Sequence, residues 1–183
     1  MDNEALIIAQ CKANNPNAQR SLYEAYSPVM FGLCLRYASD YTEAEDVLQE
    51  AFVKILTKID KYSGLGSFEG WMKRVVINTA ITHFHQSGKH KHHFDITEVQ
   101  DSSLAPFEFE DLEFTAEEMM GVVTSLPDGY RMVFNLYAIE GYKHKEIAEM
   151  LGIDVSTSKS QYSRARKIIQ QRLEELQKDS LKR

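Results

Sequence analysis

The chain has 183 residues, 43% of them hydrophobic and 26% charged, with a formal charge of −6. That composition is ordinary for a globular protein; it excludes a collagen-like or wholly disordered chain, and no apolar run approaches the roughly 18 residues that a membrane-spanning helix needs. The length allows one domain or two small ones, and four prolines and nine glycines leave little room for a many-turned all-β fold.

In chain order, Leu6, Ile7 and Ala9 open a short helix, which Asn14-Asn15-Pro16-Asn17 breaks because the residue before proline avoids the helical region. A second helix follows with Leu22, Tyr23 and Tyr26 on one face. Ser27-Pro28 reads as the start of a third, with proline at the first helical position, carrying Val29, Phe31, Leu33, Cys34 and Tyr37. Thr42-x-x-Glu45 has the form of a capping box. Behind it Val47, Leu48, Ala51, Phe52, Ile55 and Ile59 make an apolar stripe at helical spacing. Ser63-Gly64-Leu65-Gly66 is a loop, and Ser67 caps a helix bearing Phe68, Trp71, Met72, Val75, Val76 and Ile81. Cys11 and Cys34 fall on predicted helices without CxxC spacing, which predicts reduced core thiols in a cytoplasm rather than a disulfide.

Residues 87–113 change character, beginning with Ser, Gly, Lys and His and ending in the acidic Pro106-Phe-Glu-Phe-Glu-Asp-Leu-Glu113. They read as a flexible acidic linker; the alternation of acidic and aromatic residues suits a short strand, but no partner strand is visible. Helices are expected over Ala116–Ser125, Tyr130–Glu140 and Lys143–Leu151, with Leu126-Pro127-Asp128-Gly129 as a turn. A last helix runs from about Ser156 to Leu176. The expected fold class is all-α, two small helical domains (1–86 and 114–183) joined by the linker 87–113.

Charge is distributed unevenly, with a net −2 over residues 1–86, −5 over 87–113 and +1 over 114–183. The window Gly70–Phe94 holds Lys73, Arg74, Lys89, Lys91 and five histidines without an acid, and Val155–Leu173 holds Lys159, Arg164, Arg166, Lys167 and Arg172, also without one. Salt screens charges beyond about 8 Å, so two basic stripes on an acidic body remain compatible with DNA.

The second stripe sits in a recognisable frame. In Lys143–Arg166, Ile147 and Leu151 face the core, Ala148 lets two helices cross, Gly152 makes a turn at positive φ, Ile153 and Val155 fill the gap, and Ser156 or Thr157 caps the next helix. This is the helix-turn-helix layout, whose second helix enters the major groove. Lys159 and Arg164 suit guanine O6 and N7, Ser160 and Gln161 suit other base edges, and Arg166, Lys167 and Arg172 suit phosphates. In the first half, Tyr62 in its glycine-flanked loop is a base-stacking candidate, whereas Trp71 reads as core. Asn78 is polar on an otherwise apolar helix and suits an exposed base edge. Taken alone, Glu43-x-Glu45-Asp46-x-x-Gln49-Glu50 is a solvated acidic face favoured by the helix dipole. His83, His85, His90, His92 and His93 make a poor metal set, since His83 and His85 do not share a helix face and no acidic pair joins them at ligand spacing.

These blocks together carry a resemblance. Ala44-Glu-Asp-Val-Leu-Gln-Glu-Ala-Phe-Val-Lys-Ile55, then Phe68-x-x-Trp71-Met-Lys-Arg-Val-Val-Ile-Asn78, then Leu126-Pro127 and the helix-turn-helix resemble bacterial extracytoplasmic-function (group IV) RNA polymerase sigma factors, over Ala5–Leu176 with only the linker unmatched. The resemblance implies a first domain like sigma region 2 and a second like region 4. It implies that Asp46, Gln49 and Glu50 dock on the β′ clamp helices of core RNA polymerase, and that region 4 meets the β flap. The loop Lys61–Gly66, including Tyr62 and Gly64, would capture with Asn78 a flipped base of the −10 element, while Lys73 and Arg74 hold adjacent phosphates. Ser156, Thr157, Lys159, Ser160, Gln161, Arg164, Arg166 and Lys167 would read or grip the −35 duplex. The acidic linker would lie along the polymerase RNA path. An anti-sigma factor is a further implied partner; no catalytic residue, cofactor, metal or membrane insertion is implied, and the location is cytoplasmic. Two positions depart from the family pattern: Ser158 stands where an apolar residue usually packs, and Gln161 where a basic residue is frequent. A stand-alone helix-turn-helix regulator is the competing reading.

Overall fold

The computed structural model describes residues 3–88 and 114–180, and every regular element among them is helical. The chain divides into two compact units, Met1–His83 and Phe84–Arg183. Residues 89–113, which hold most of the predicted linker and His90, His92 and His93, lie outside the described residues.

In the first unit, α1 (Asn3–Lys12) ends where Asn14 adopts φ +57°, a left-handed conformation that asparagine tolerates. Asn15 then caps α2, its Oδ1 accepting from the amides of Asn17 at 2.9 Å and Ala18 at 3.3 Å, with Pro16 at the first helical position. The expected break at Ser27-Pro28 does not occur: α2 runs unbroken from Pro16 to Tyr37 with Pro28 inside it. Proline deletes one helical hydrogen bond at a cost of about 3 kcal/mol. Ala18, Leu22, Met30, Leu33, Cys34 and Tyr37 nevertheless form one buried stripe across it. Burying such side chains contributes about 1.5–3 kcal/mol each, which carries the helix through the defect.

The start of α3 (Tyr41–Lys58) is also displaced from the expected Thr42–Glu45 box. Asp40 Oδ1 accepts from the Glu43 amide at 2.8 Å, and Glu43 Oε2 accepts from the Ser39 amide at 2.7 Å, so the cap lies two residues earlier. A 3₁₀ turn, Ile59–Lys61, leads into the glycine loop. Ser67 Oγ accepts from the Gly70 amide at 3.0 Å at the head of α4 (Phe68–Gln86), as predicted. Leu22, Met30, Val47, Ile55, Ile59, Phe68, Met72 and Val76 are almost fully buried in this unit. Both cysteines are free and buried, and burial pushes the Cys34 thiol up to about 12, leaving it unreactive.

In the second unit Thr115 and Glu118 form a capping box at the head of α5 (Ala116–Thr124). The expected turn at Asp128-Gly129 is instead the first turn of α6 (Asp128–Phe134), because Pro127 is extended and its carbonyl already accepts from the Arg131 amide at 2.9 Å. α6 continues into a π-helical turn, Asn135–Ile139, with the Glu140 amide on the Asn135 carbonyl at 2.9 Å. α7 (His144–Leu151) ends at Gly152 with φ +65° and is followed by α8 (Val155–Ser180). Neither Ser156 nor Thr157 caps α8: the Ser158 amide donates to the Asp154 carbonyl at 3.0 Å, which places both in its first turn. Val155 is 40% exposed rather than filling the interhelical gap, while Ile153 is half-buried. Val122, Val123, Leu126, Phe134, Ala165, Ile169 and Leu173 form one buried cluster, and Met132, Val133, Leu136, Ile147 and Leu151 are buried as well.

Candidate nucleic-acid interface

Three exposed surfaces carry the residues singled out by the sequence. The first is the glycine loop with the outer face of α4. Gly64 and Gly66 take φ +80° and +81°, which side chains rarely adopt, so the loop turns sharply at both. It is held at its base. Tyr62 donates its hydroxyl to the Gly66 carbonyl at 2.8 Å, and Lys12 Nζ donates to the Tyr62 carbonyl at 3.1 Å. The Tyr62 ring lies edge-on to Phe68 at 5.0 Å and tilted to Trp71 at 5.8 Å. Tyr62 is therefore half-buried as the brace of the loop, which corrects its reading as an open stacking platform. Trp71, read as core, is only half-buried. Arg74 and Asn78 are exposed one turn apart on the same face of α4. Lys73 does not join them: successive helical residues turn by about 100°, and Lys73 is paired with Glu69 at 2.7 Å. Sequence reasoning passed over Leu65, which is 86% exposed at the loop tip. The signal available for it was an apolar residue between two glycines.

The second surface is the outer face of α3. Asp46 and Gln49 are exposed there, and Val53, 62% exposed, interrupts the polar face one turn on. Glu50 is different. Lys54 bridges one of its carboxylate oxygens and His83 Nε2 lies 2.6 Å from the other. Hydrogen bonds from Lys54 and then His83 hold its carboxyl below the usual range. Asp46 and Gln49 thus face outward, while Glu50 is engaged within the chain.

The third surface is α8. Ser156, Lys159, Ser163 and Lys167 recur every third or fourth residue along one side, with Ser156, Lys159 and Lys167 exposed and Ser163 half-buried. Ser160 Oγ is turned back onto the Thr157 carbonyl at 3.0 Å, and Thr157 is half-buried. Arg164 donates to the Tyr130 hydroxyl at 3.3 Å on a different flank, and the Arg166 guanidinium lies 5.9 Å above the Tyr162 ring. Gln161 is buried at 3% exposure, so it packs within the unit and does not read bases; this corrects its assignment to the duplex-facing set. Its position on the inner stripe with Ser158, Ala165, Ile169 and Leu173 is the reason.

Ser158 is wholly buried and its Oγ lies 3.0 Å from His144 Nδ1, a polar contact between α7 and α8 where an apolar one was expected. The His144 ring stacks on Tyr137 at 4.2 Å and 12°. Burial, and secondarily the nearby Lys159 charge, lower the His144 pKa from its ordinary 6.5. The unfolded imidazole therefore takes up a proton first. Stability is complete above the unfolded pKa of about 6.5 and is lost as pH falls through and below it. We expect the thermal midpoint of the second unit to fall between about pH 7.5 and 5.5, and the slope to shrink in His144→Gln. An unchanged slope by circular dichroism would contradict this origin.

Among the described residues no group of three or more His, Cys, Asp or Glu is placed to hold a metal, and no helix is long and apolar enough to cross a membrane.

Comparison with known proteins places these surfaces. Residues 22–90 match the family model for sigma-70 region 2, and residues 116–178 match the model for sigma-70 region 4. The chain is 27% identical to RNA polymerase sigma-H factor of Pseudomonas aeruginosa over 184 aligned residues, covering 95% of each chain. It is 29% identical to the ECF RNA polymerase sigma factor SigW of Bacillus subtilis, covering 92% of this chain and 96% of that one. Among solved structures, the sigma factor RpoE of Bartonella quintana, crystallised with the anti-sigma factor NepR, shares the fold at 19% identity, with a TM-score of 0.50 over 85% of this chain and 96% of that one. The helical pair α7–α8, the loop-and-α4 face and the α3 face thus fall within two sigma regions in their family order, and the chain belongs to the extracytoplasmic-function RNA polymerase sigma factors.

Proposed function

We propose that this chain, a promoter-recognition subunit of RNA polymerase, divides its task among the three surfaces. Asp46 and Gln49, with Val53 between turns, dock on the basic β′ clamp helices, and Glu50 contributes through the Lys54–His83 cluster that orients it. Arg74 and Asn78, beside the braced loop Tyr62–Gly66, receive the melted non-template strand of the −10 element. Lys159, Ser156 and Lys167 face the −35 duplex, with Arg164 and Arg166 on its flanks, and the second unit also meets the β flap. Residues 1–86 and 114–183 act as the two functional domains, with 87–113 as the connector. An anti-sigma partner and a cytoplasmic location complete the reading; it assigns the chain no covalent chemistry and no cofactor.

The observation that carries this reading is the coincidence of the two sigma regions with the exposed Arg74 and Asn78 on α4 and the exposed Lys159 and Lys167 on α8. Opening a promoter asks sigma for binding alone. Captured bases offset the few kcal/mol that unstacking costs, and a second anchor on the same chain acts at raised effective concentration. Run-off transcription with cognate core enzyme, followed by start-site mapping, tests it. Specific initiation is expected; no association with core, together with tight specific duplex binding by the chain alone, would favour a stand-alone regulator instead.

Within the duplex-facing stripe the two lysines are expected to behave differently. Lys159→Ala, near the start of α8, should cost about 1–3 kcal/mol and relax specificity at one base position. Lys167→Ala should weaken all sequences alike and reduce the salt slope by about 1. Fluorescence anisotropy of holoenzyme on −35 variants across salt concentrations measures both.

A further inference from the structure

Among the described residues, Leu65 is the most exposed large hydrophobic, at 86%. A single exposed leucine is ordinary on a protein surface. This one is presented by its surroundings. Both neighbours, Gly64 and Gly66, are in left-handed conformations, and a Cβ built at either meets nothing within 4 Å. Gly64, Leu65 and Gly66 are all exposed, so the loop tip stands clear of its unit. Its base is nonetheless fixed by the Tyr62 hydroxyl on Gly66, by Lys12 on the Tyr62 carbonyl, and by the Tyr62 ring against Phe68 and Trp71. Trp71 connects that brace to the face of α4 that exposes Arg74 and Asn78. Lys61 and Ser63, also exposed, flank the tip with polar groups. The arrangement is an apolar tip on a pinned stalk beside a cation and an amide.

We propose that Leu65 is an apolar wedge, inserting at the edge of the melted −10 element to cover the base face left bare when its neighbour is extruded. The inference rests on the reading that this loop meets the melted strand. Leaving a base face in water costs free energy, and apolar side chains inserted between base steps offset unstacking in DNA-deforming proteins. Gly64 and Gly66 give the backbone room to approach the strand, and the Tyr62 brace spares the loop the ordering entropy that a free loop would lose on insertion. Leu65 then acts on the step that separates paired from open DNA, while Arg74 and Asn78 hold the strand once it is open.

The test compares two templates with cognate core enzyme: a fully paired promoter, and the same promoter with mismatches across the −10 element. On the paired template Leu65→Ser is expected to slow open-complex formation roughly tenfold, followed by 2-aminopurine fluorescence and run-off product, while Leu65→Met stays close to the parent. On the premelted template Leu65→Ser is expected to match the parent. Its thermal midpoint should be unchanged, because so exposed a side chain contributes little packing. Parent-like activity of Leu65→Ser on paired DNA would overturn the wedge, and so would an equal loss on both templates. If the unaltered protein initiates on neither template, the promoter-recognition reading itself fails and takes the wedge with it.

Discussion

Replacing Arg131 with alanine is expected to lower the unfolding free energy of the second unit by about 3–5 kcal/mol. The Arg131 side chain is only 4% exposed. One guanidinium nitrogen donates to the Leu126 carbonyl at 2.9 Å and the Thr124 carbonyl at 3.2 Å, and the other pairs with Asp128. Those carbonyls belong to the end of α5 and the segment leading into α6, so one side chain satisfies the backbone where two helices meet. Removing it leaves a carboxylate at 17% exposure without this partner and leaves both carbonyls without this donor. The attraction itself is not the source of the loss, since desolvating two charges costs nearly as much as pairing them returns. The double variant Arg131→Met, Asp128→Ala is therefore expected to recover part of the deficit. Urea unfolding followed by circular dichroism measures both, and a change below about 1 kcal/mol in Arg131→Ala would contradict the account.

Reversing the charge at Asp46 is expected to weaken association with core polymerase by about 2 kcal/mol or more, close to thirtyfold. The proposed partner surface is basic, and a lysine placed against it repels where aspartate attracted. Asp46 is exposed on the outer face of α3, where reversal does not disturb the core. Val53→Asp should also weaken docking, because a 62% exposed apolar side chain on a polar helix face gains most from being covered. Glu50→Gln should do less at the interface, since Lys54 already pairs with one Glu50 oxygen and His83 occupies the other. Competition against a labelled sigma for core enzyme ranks the three. An effect of Glu50→Gln larger than that of Asp46→Lys would show that the Lys54–His83 cluster opens on docking.

How legible these features were follows from the range of the interactions that set them. The i,i+4 pair of Glu50 and Lys54 can be read from spacing alone, whereas His83 approaches the same carboxylate from 33 residues away. Lys73 and Arg74 are adjacent in sequence and were assigned adjacent phosphates, but neighbours on a helix point to different sides, and Glu69 engages only Lys73. Gln161 is a plausible base reader by chemistry. Its burial follows from the crossing of α8 with its neighbours, and the polar Ser158 and Gln161 interrupt the apolar spacing that would have announced the inner stripe.

The sequence by itself determined the all-helical class, the Gly152 turn between α7 and α8, the apolar stripe of α3 and the order of the two sigma regions. Each is written in local terms: helical periodicity, capping side chains, a glycine where φ is positive, and motif spacing. Only the tertiary structure decided that α2 continues through Pro28, that Ser158 bonds His144, that Tyr62 braces rather than stacks, and that Leu65 stands clear of the body. Those outcomes depend on which distant side chains arrive at the same place. Packing energy gathered along a whole buried face outweighs a local preference of a few kcal/mol, and no short window of sequence contains that sum.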